Sequence, residues 1–280
     1  MADPARLRSR TLDRPWGRMH VWEAGPDDPA APTVLAVHGL GGSGRYWQGL
    51  ANRTAGTHRL IAPDLAGFGR SDEPTLDADR ALHLADLDSV IEATAPPSPV
   101  WVVGHSLGGV LAALWASNRH ERVAGLALAA APFPTGKAMD FRSRADLQAS
   151  PVRRAMGRGV RTIWPVIAVP VGLARGYPPA TVIDFGRQSI RSRAWTMWSL
   201  WSDPSLVEEI QRVGTLDGSL PALLAHARDD RTVPIAAHGG WTRLLPHAEE
   251  HVIEVGGHQF LLRTGFEPVT SWLRTSSGTS

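Results

Sequence analysis

The chain of 280 residues contains no cysteine. That absence removes disulfides, thiolate nucleophiles and sulfur-based metal sites together. Long hydrophobic runs are missing too. The most apolar stretch, residues 163–173, is about half the length of a membrane span and is broken by Pro165 and Pro170. The first eighteen residues are polar, carry Pro4 and Pro15, and show no apolar signal core. These features predict a cytoplasmic protein without a membrane span. Net charge is small, +2 from 29 basic and 27 acidic residues, which gives no reason to expect a nucleic-acid partner. Residues 135–215 are less balanced, with twelve basic against six acidic side chains. Such a segment either attracts acidic ligands or is a solvated surface rich in arginine.

What is present is an alternation of short β-rich apolar runs and helical stretches. Strands are predicted at 19–23, 33–38, 60–64, 100–104, 123–129, 222–227 and 251–255. Several, such as T-V-L-A-V-H and V-W-V-V-G, are apolar throughout, as strands covered on both faces are. Helices are predicted at 77–94, 107–118, 236–245 and 268–274, with the last residues a frayed tail. The pattern predicts an α/β fold with a mostly parallel sheet flanked by helices. Residues 135–214 break the rhythm: they lack clear strands and are rich in Arg, Trp and Pro. They are expected to form a helical cap inserted between core segments 1–134 and 215–280.

Four motifs fall at predicted strand ends. Residues 104–108 read G-H-S-L-G between a strand and a helical run, the setting of a nucleophile elbow. The sharp turn strains Ser106, and small residues at 104 and 108 avoid clashes with neighbouring chain. The plainer alternative is a glycine-rich turn with an N-capping serine. Residues 38–44 read H-G-L-G-G-S-G. In a serine hydrolase the backbone N–H of Leu40 in this loop, with that of Leu107, would form an oxyanion hole. The same loop fits a rival. Gly39, Gly41 and Gly44 match G-x-G-x-x-G, with Asp64 twenty residues further on, as in a dinucleotide site. Ser106 and the later motifs would then have no role, so no cofactor is expected. Those later motifs are A-R-D-D-R-T-V-P, carrying Asp229 and Asp230, and V-I-E-V-G-G-H, ending in His258. A serine hydroxyl needs a base, and the base needs a carboxylate to fix its tautomer. His258 is the candidate base, with Asp229 or Asp230 behind it. His105 and His226 are expected as packing or polar neighbours rather than catalysts. The remaining histidines show no ligand spacing, and no metal is predicted.

With these motifs the chain resembles the α/β-hydrolase superfamily from about Trp16 to Leu273. H-G-L-G-G-S-G, D-L-A-G-F-G-R-S-D, G-H-S-L-G-G, D-R-T-V-P and G-G-H match that family's successive landmarks. The resemblance implies Asp230 as the acid, because the family acid commonly precedes x-x-V-P, and leaves Asp64 and Arg70 to hold a loop. It implies hydrolysis of a carboxylic ester or lactone of a small, largely apolar substrate through an acyl-enzyme. Relatives with an aspartate nucleophile, the haloalkane dehalogenases and epoxide hydrolases, are excluded by Ser106. C–C bond hydrolases frequently carry Trp after the base, where Gln259 stands here, and perhydrolases often carry Met after the serine, where Leu107 stands. Acyl transfer or cyclisation would require a lid that excludes water. A non-catalytic ligand-binding member of the fold is the contrasting class.

The cap offers two further expectations. Trp195, Trp198 and Trp201 recur every three residues, an aromatic stripe if helical, which either packs on the body or walls an apolar substrate together with Met197. Among the cap arginines 142, 144, 153, 154, 158, 161, 175, 187, 191, 193 and 212, one facing the cavity would bind an acidic substrate.

Overall fold

Runs such as T-V-L-A-V have no polar face, so they bury completely only in strands covered on both sides. A computed structural model, which describes residues 7–94, 96, 98–134, 169–174 and 177–279, shows that arrangement. The strands are β1 (Arg8–Arg14), β2 (Gly17–Ala24), β3 (Thr33–Val37), β4 (Arg59–Pro63), β5 (Val100–His105), β6 (Val123–Ala129), β7 (Ala222–Ala227) and β8 (Glu249–Ile253). They form one sheet in the order β1-β2-β4-β3-β5-β6-β7-β8. β1 and β2, and β2 and β4, pair antiparallel. From β4 to β8 every pairing is parallel. All residues of β3, β5 and β7 are buried.

Successive side chains of a strand point to opposite faces, and each face has its own core. Leu35, Val37 and Val102 pack with Leu87, Leu111 and Trp115 on one side. Val34, Ala36 and Val103 pack with Trp47, Phe260 and Trp272 on the other. The first core is covered by α2 (Arg80–Thr94) and α3 (Leu107–Asn118), the second by α1 (Gln48–Thr54) and the C-terminal helices Phe260–Thr264 and Glu267–Ser277.

The differences from expectation have local causes. β1 is an unpredicted edge strand, R-S-R-T-L-D-R; its charged, mostly exposed side chains give no apolar alternation to read. α2 starts at Arg80 rather than 77 because Asp79 Oδ1 accepts from the Leu82 N–H at 2.8 Å. β8 starts and ends two residues earlier than predicted, and Val255, 75% exposed, lies in the turn after it. The C-terminal helix runs through Ser277, where the tail was expected to fray; Ser277 Oγ donates to Leu273 O at 2.6 Å and lies 3.1 Å from His58 Nε2. Within 177–214 the chain forms helices Pro179–Arg187, Ile190–Trp201 and Ser205–Val213. Residues 135–168 of the expected cap lie outside the described residues.

Candidate active site

A parallel sheet gathers its strand carboxyl ends on one edge, and the four sequence motifs meet there. Ser106, between β5 and α3, has φ 53° and ψ −125°, a strained conformation for a residue with a side chain. The turn is held by the Ser106 N–H on Ala129 O at 2.8 Å. It also requires glycine on either side: a Cβ at Gly104 would strike the Gly108 carbonyl, and one at Gly108 the carbonyls of Val37 and His38.

His258 follows β8 in the loop through Gly256 and Gly257. Its Nε2 stands 2.8 Å from Ser106 Oγ, and its Nδ1 stands 2.7 Å from Asp230 Oδ2. The Asp230 carboxylate is fully buried as a side chain. Its Oδ1 accepts from the N–H groups of Thr232 at 2.8 Å and Val233 at 2.9 Å. Burial works to raise this carboxyl, but hydrogen bonds from His258, Val233 and Thr232 outweigh it and hold it below the usual range. A carboxylate there keeps the proton on Nδ1 and leaves the Nε2 lone pair facing the serine.

The neighbouring carboxylate does something else. Asp229 Oδ1 accepts from Gly256 N–H at 2.8 Å and Gly257 N–H at 2.7 Å, fastening the loop that carries His258. His105 holds the same loop from the elbow, its Nε2 lying 2.8 Å from the His258 carbonyl. Burial lowers His105 to about 3, so this ring is neutral and its Nε2–H is the donor. His226 sits behind the acid, with Nε2 on Val233 O at 2.9 Å and 3.7 Å from Asp230 Oδ2. Sequence alone could not single out His105 for this task, because its contact with the His258 carbonyl spans 153 positions.

The loop after β3 lies across from the elbow. Leu65 N–H donates to His38 Nε2 at 3.0 Å, so His38 carries its proton on Nδ1 and donates it to Gly39 O at 2.7 Å. Burial lowers His38 to about 4, keeping it neutral. Asp64 binds the far end of the loop, accepting from Gly44 N–H at 2.6 Å, Trp22 Nε1 at 3.1 Å and Arg70 N–H at 2.8 Å. It is engaged in loop structure and does not line the cavity. Among the described residues, the N–H groups of Leu40 and Leu107 have no backbone acceptor.

Ser106, His258, Leu40 and Leu107 all line one cavity of about 990 Å³. Its walls are largely apolar, including Phe133, Val182, Phe185, Met197, Val233 and Leu262. Of the aromatic stripe only Trp201 reaches the cavity, with Met197. Trp195 and Trp198 meet edge-to-face at 5.3 Å and do not line it. Residues three apart step about 60° backward around a helix of 3.6 residues per turn, so the three rings fan out over about 120° and the rotation of the helix decides which of them reaches the cavity. Of the arginines in the expected cap, the four described ones, 187, 191, 193 and 212, do not line the cavity; Arg243, from the helix Ala236–Leu244, does. The other seven cap arginines lie outside the described residues. No group of His, Asp and Glu able to hold a metal, and no helix long and apolar enough to cross a membrane, occurs among the described residues.

Residues 32–150 match the family model described as alpha/beta hydrolase fold. Lipase LipV of Mycobacterium tuberculosis is 40% identical over 113 residues, covering 39% of this chain and 40% of the lipase. A haloalkane dehalogenase of Mesorhizobium japonicum is 34% identical over 159 residues, covering 57% of this chain and 47% of the dehalogenase. The chain spans under half the length of the curated relatives it matches. Among solved structures, an esterase from Exiguobacterium antarcticum superposes with TM-score 0.73 at 18% identity, over 97% of this chain and all of that one. The chain has the α/β-hydrolase fold, and residues 32–150 carry the match to that family.

Proposed function

We propose that the protein is a serine hydrolase that cleaves a carboxylic ester or lactone of a largely apolar substrate through an acyl-enzyme. One observation carries this reading: the continuous line Ser106 Oγ, His258 Nε2, His258 Nδ1, Asp230 Oδ2, with gaps of 2.8 and 2.7 Å at the cavity edge. His258 takes the Ser106 proton as Oγ attacks the carbonyl carbon, and Asp230 stabilises the imidazolium that results. The N–H groups of Leu40 and Leu107 receive the oxyanion, supported by the N-terminus of α3. His258 then passes its proton to the leaving alkoxide, and water repeats the sequence to release the acid. The apolar walls favour a hydrocarbon-rich acyl or ring group, with Trp201 and Met197 in contact. The helices Pro179–Arg187 and Ile190–Trp201 of the expected cap supply part of the cavity wall, and no cofactor takes part in this chemistry.

Fluorophosphonate labelling with peptide mapping tests the proposal. Wild type is expected to label at Ser106, and Ser106→Ala to lose both label and ester turnover. Folded wild type that neither labels nor hydrolyses short esters would overturn it and favour a ligand-binding role.

A further inference from the structure

The loop carrying Leu40 is held from the sheet side by His38 and Asp64, and from the cap by one buried carboxylate. Asp184, on the helix Pro179–Arg187, has no solvent exposure. Its Oδ2 accepts from Ser43 Oγ at 2.7 Å and from Arg45 Nε at 2.8 Å, and its Oδ1 accepts from an Arg45 terminal nitrogen at 2.6 Å. The same Arg45 nitrogen reaches Ala180 O at 3.4 Å, and Arg187 stands 3.7 Å from Oδ1. Contact continues at Gly41, whose φ of +75° disfavours any side chain. A Cβ there would come within 2.7 Å of the Phe185 ring and 3.1 Å of Gln188 Nε2. Yet Thr181, Val182 and Phe185 of this helix also line the cavity. A single short helix therefore touches both the space for the acyl group and the loop that would carry an oxyanion donor.

We propose that Asp184 is a positioning residue that couples recognition of the acyl chain to the oxyanion hole. The proposal rests on the serine-hydrolase reading above. A bidentate carboxylate–guanidinium pair fixes orientation as well as distance. An acyl chain seated against Thr181, Val182 and Phe185 holds the helix where Asp184 sets Ser43 and Arg45, and hence the peptide between Gly39 and Leu40. Binding energy from this remote part of the substrate then raises kcat rather than only lowering KM.

The test measures kcat and KM for p-nitrophenyl esters from acetyl to decanoyl, normalised to the serines that label with fluorophosphonate. Two variants are compared with wild type: Asp184→Asn, and the double variant Arg45→Met with Asp184→Leu, which removes both charges so that neither is stranded. In wild type kcat should rise with chain length. In both variants that rise should be lost, with kcat on the decanoyl ester down about tenfold and KM within about twofold, a smaller loss than deleting an oxyanion donor outright. A lowered melting temperature with unchanged kcat per active serine would overturn the proposal, leaving the pair a structural tie. Equal loss of kcat at every chain length would also overturn it. Wild type that never labels at Ser106 would remove the parent reading, and this one with it; labelled wild type whose kcat ignores chain length removes this one alone.

Discussion

The two walls of the cavity are held by different means. On the sheet side, Ser106, Asp230 and His258 are placed by hydrogen bonds from main-chain donors at strand ends: Ser106 N–H to Ala129 O, Thr232 and Val233 N–H to the Asp230 carboxylate, and Gly256 and Gly257 N–H to the Asp229 carboxylate. On the opposite side, the helices within 177–214 are tied to the body mostly by side chains far apart in sequence, beside one main-chain bond from Ser189 N–H to Gly67 O at 2.7 Å. Arg45 meets Asp184, Arg80 meets Asp203 at 2.9 Å and Glu209 at 2.7 Å, and Arg191 meets Asp77 at 3.0 Å. His83 Nε2 meets Thr196 Oγ1 at 2.8 Å. Main-chain anchoring follows from sheet register and survives most substitutions on the surface. Side-chain anchoring depends on particular pairs, so the helices within 177–214 can be altered piecemeal while the strand-end geometry stays in place.

Three substitutions or conditions would sharpen or break this contrast. Asp230→Asn keeps the shape but loses the carboxylate that fixes the imidazole tautomer, so kcat should fall about 10⁴-fold. Ester kinetics against a circular dichroism control would measure it; a loss below tenfold would mean that Asp230 does not orient the base.

Acid should act on the buried histidines of both regions. Burial lowers His38 and His58 to about 4, and His83 and His105 to about 3. In the unfolded chain they take up protons near pH 6.5, so their contribution is complete above that value and is lost as pH falls towards the folded values. Burial raises Asp64 to about 7 and Asp86 to about 6, which works in the opposite direction over the same window. Four imidazoles against two carboxyls leave a net loss of a few kcal/mol from pH 7 to 5. Urea unfolding at the two pH values would show it as a lower midpoint; an unchanged or higher midpoint would sink the expectation.

The smallest effect is expected at Asp229. Loss of its hydrogen bonds loosens the His258 loop, and Asp229→Ala should lower kcat about tenfold, the equivalent of one hydrogen bond to a charged group. Asp229→Asn, which keeps an acceptor oxygen, should recover most of that. If both variants match wild type, the main-chain contacts at Gly256 and Gly257 are dispensable and the sheet-side wall is less dependent on them than its geometry implies.

Most of the sheet was legible because its strands are buried on both faces and therefore apolar throughout. β6 and β7 have the expected bounds for that reason. β1 was not, since an exposed antiparallel edge needs no apolar alternation and takes its conformation from pairing with β2. Ser106 and His258 could be singled out because the elbow and the strand-end histidine leave local signatures, whereas Asp230 was preferred to Asp229 only through the family resemblance. The separate task of Asp229 could not, because it lies in contacts to Gly256 and Gly257, 27 and 28 positions away. The tryptophan stripe announced an aromatic helix correctly, but which ring faces the cavity depends on how that helix is rotated against the body.

The sequence by itself determined the class of fold, the set of residues from which a nucleophile, base and acid could be drawn, and the glycines that allow the elbow. These follow from local patterning, turn sterics and residue chemistry, all of which act within a few positions. Only the tertiary structure decided which carboxylate faces His258, which residues of 177–214 reach the cavity, and that Asp184 grips the loop of Leu40. Those outcomes depend on distances between segments from 28 to 141 residues apart, and only packing sets such distances.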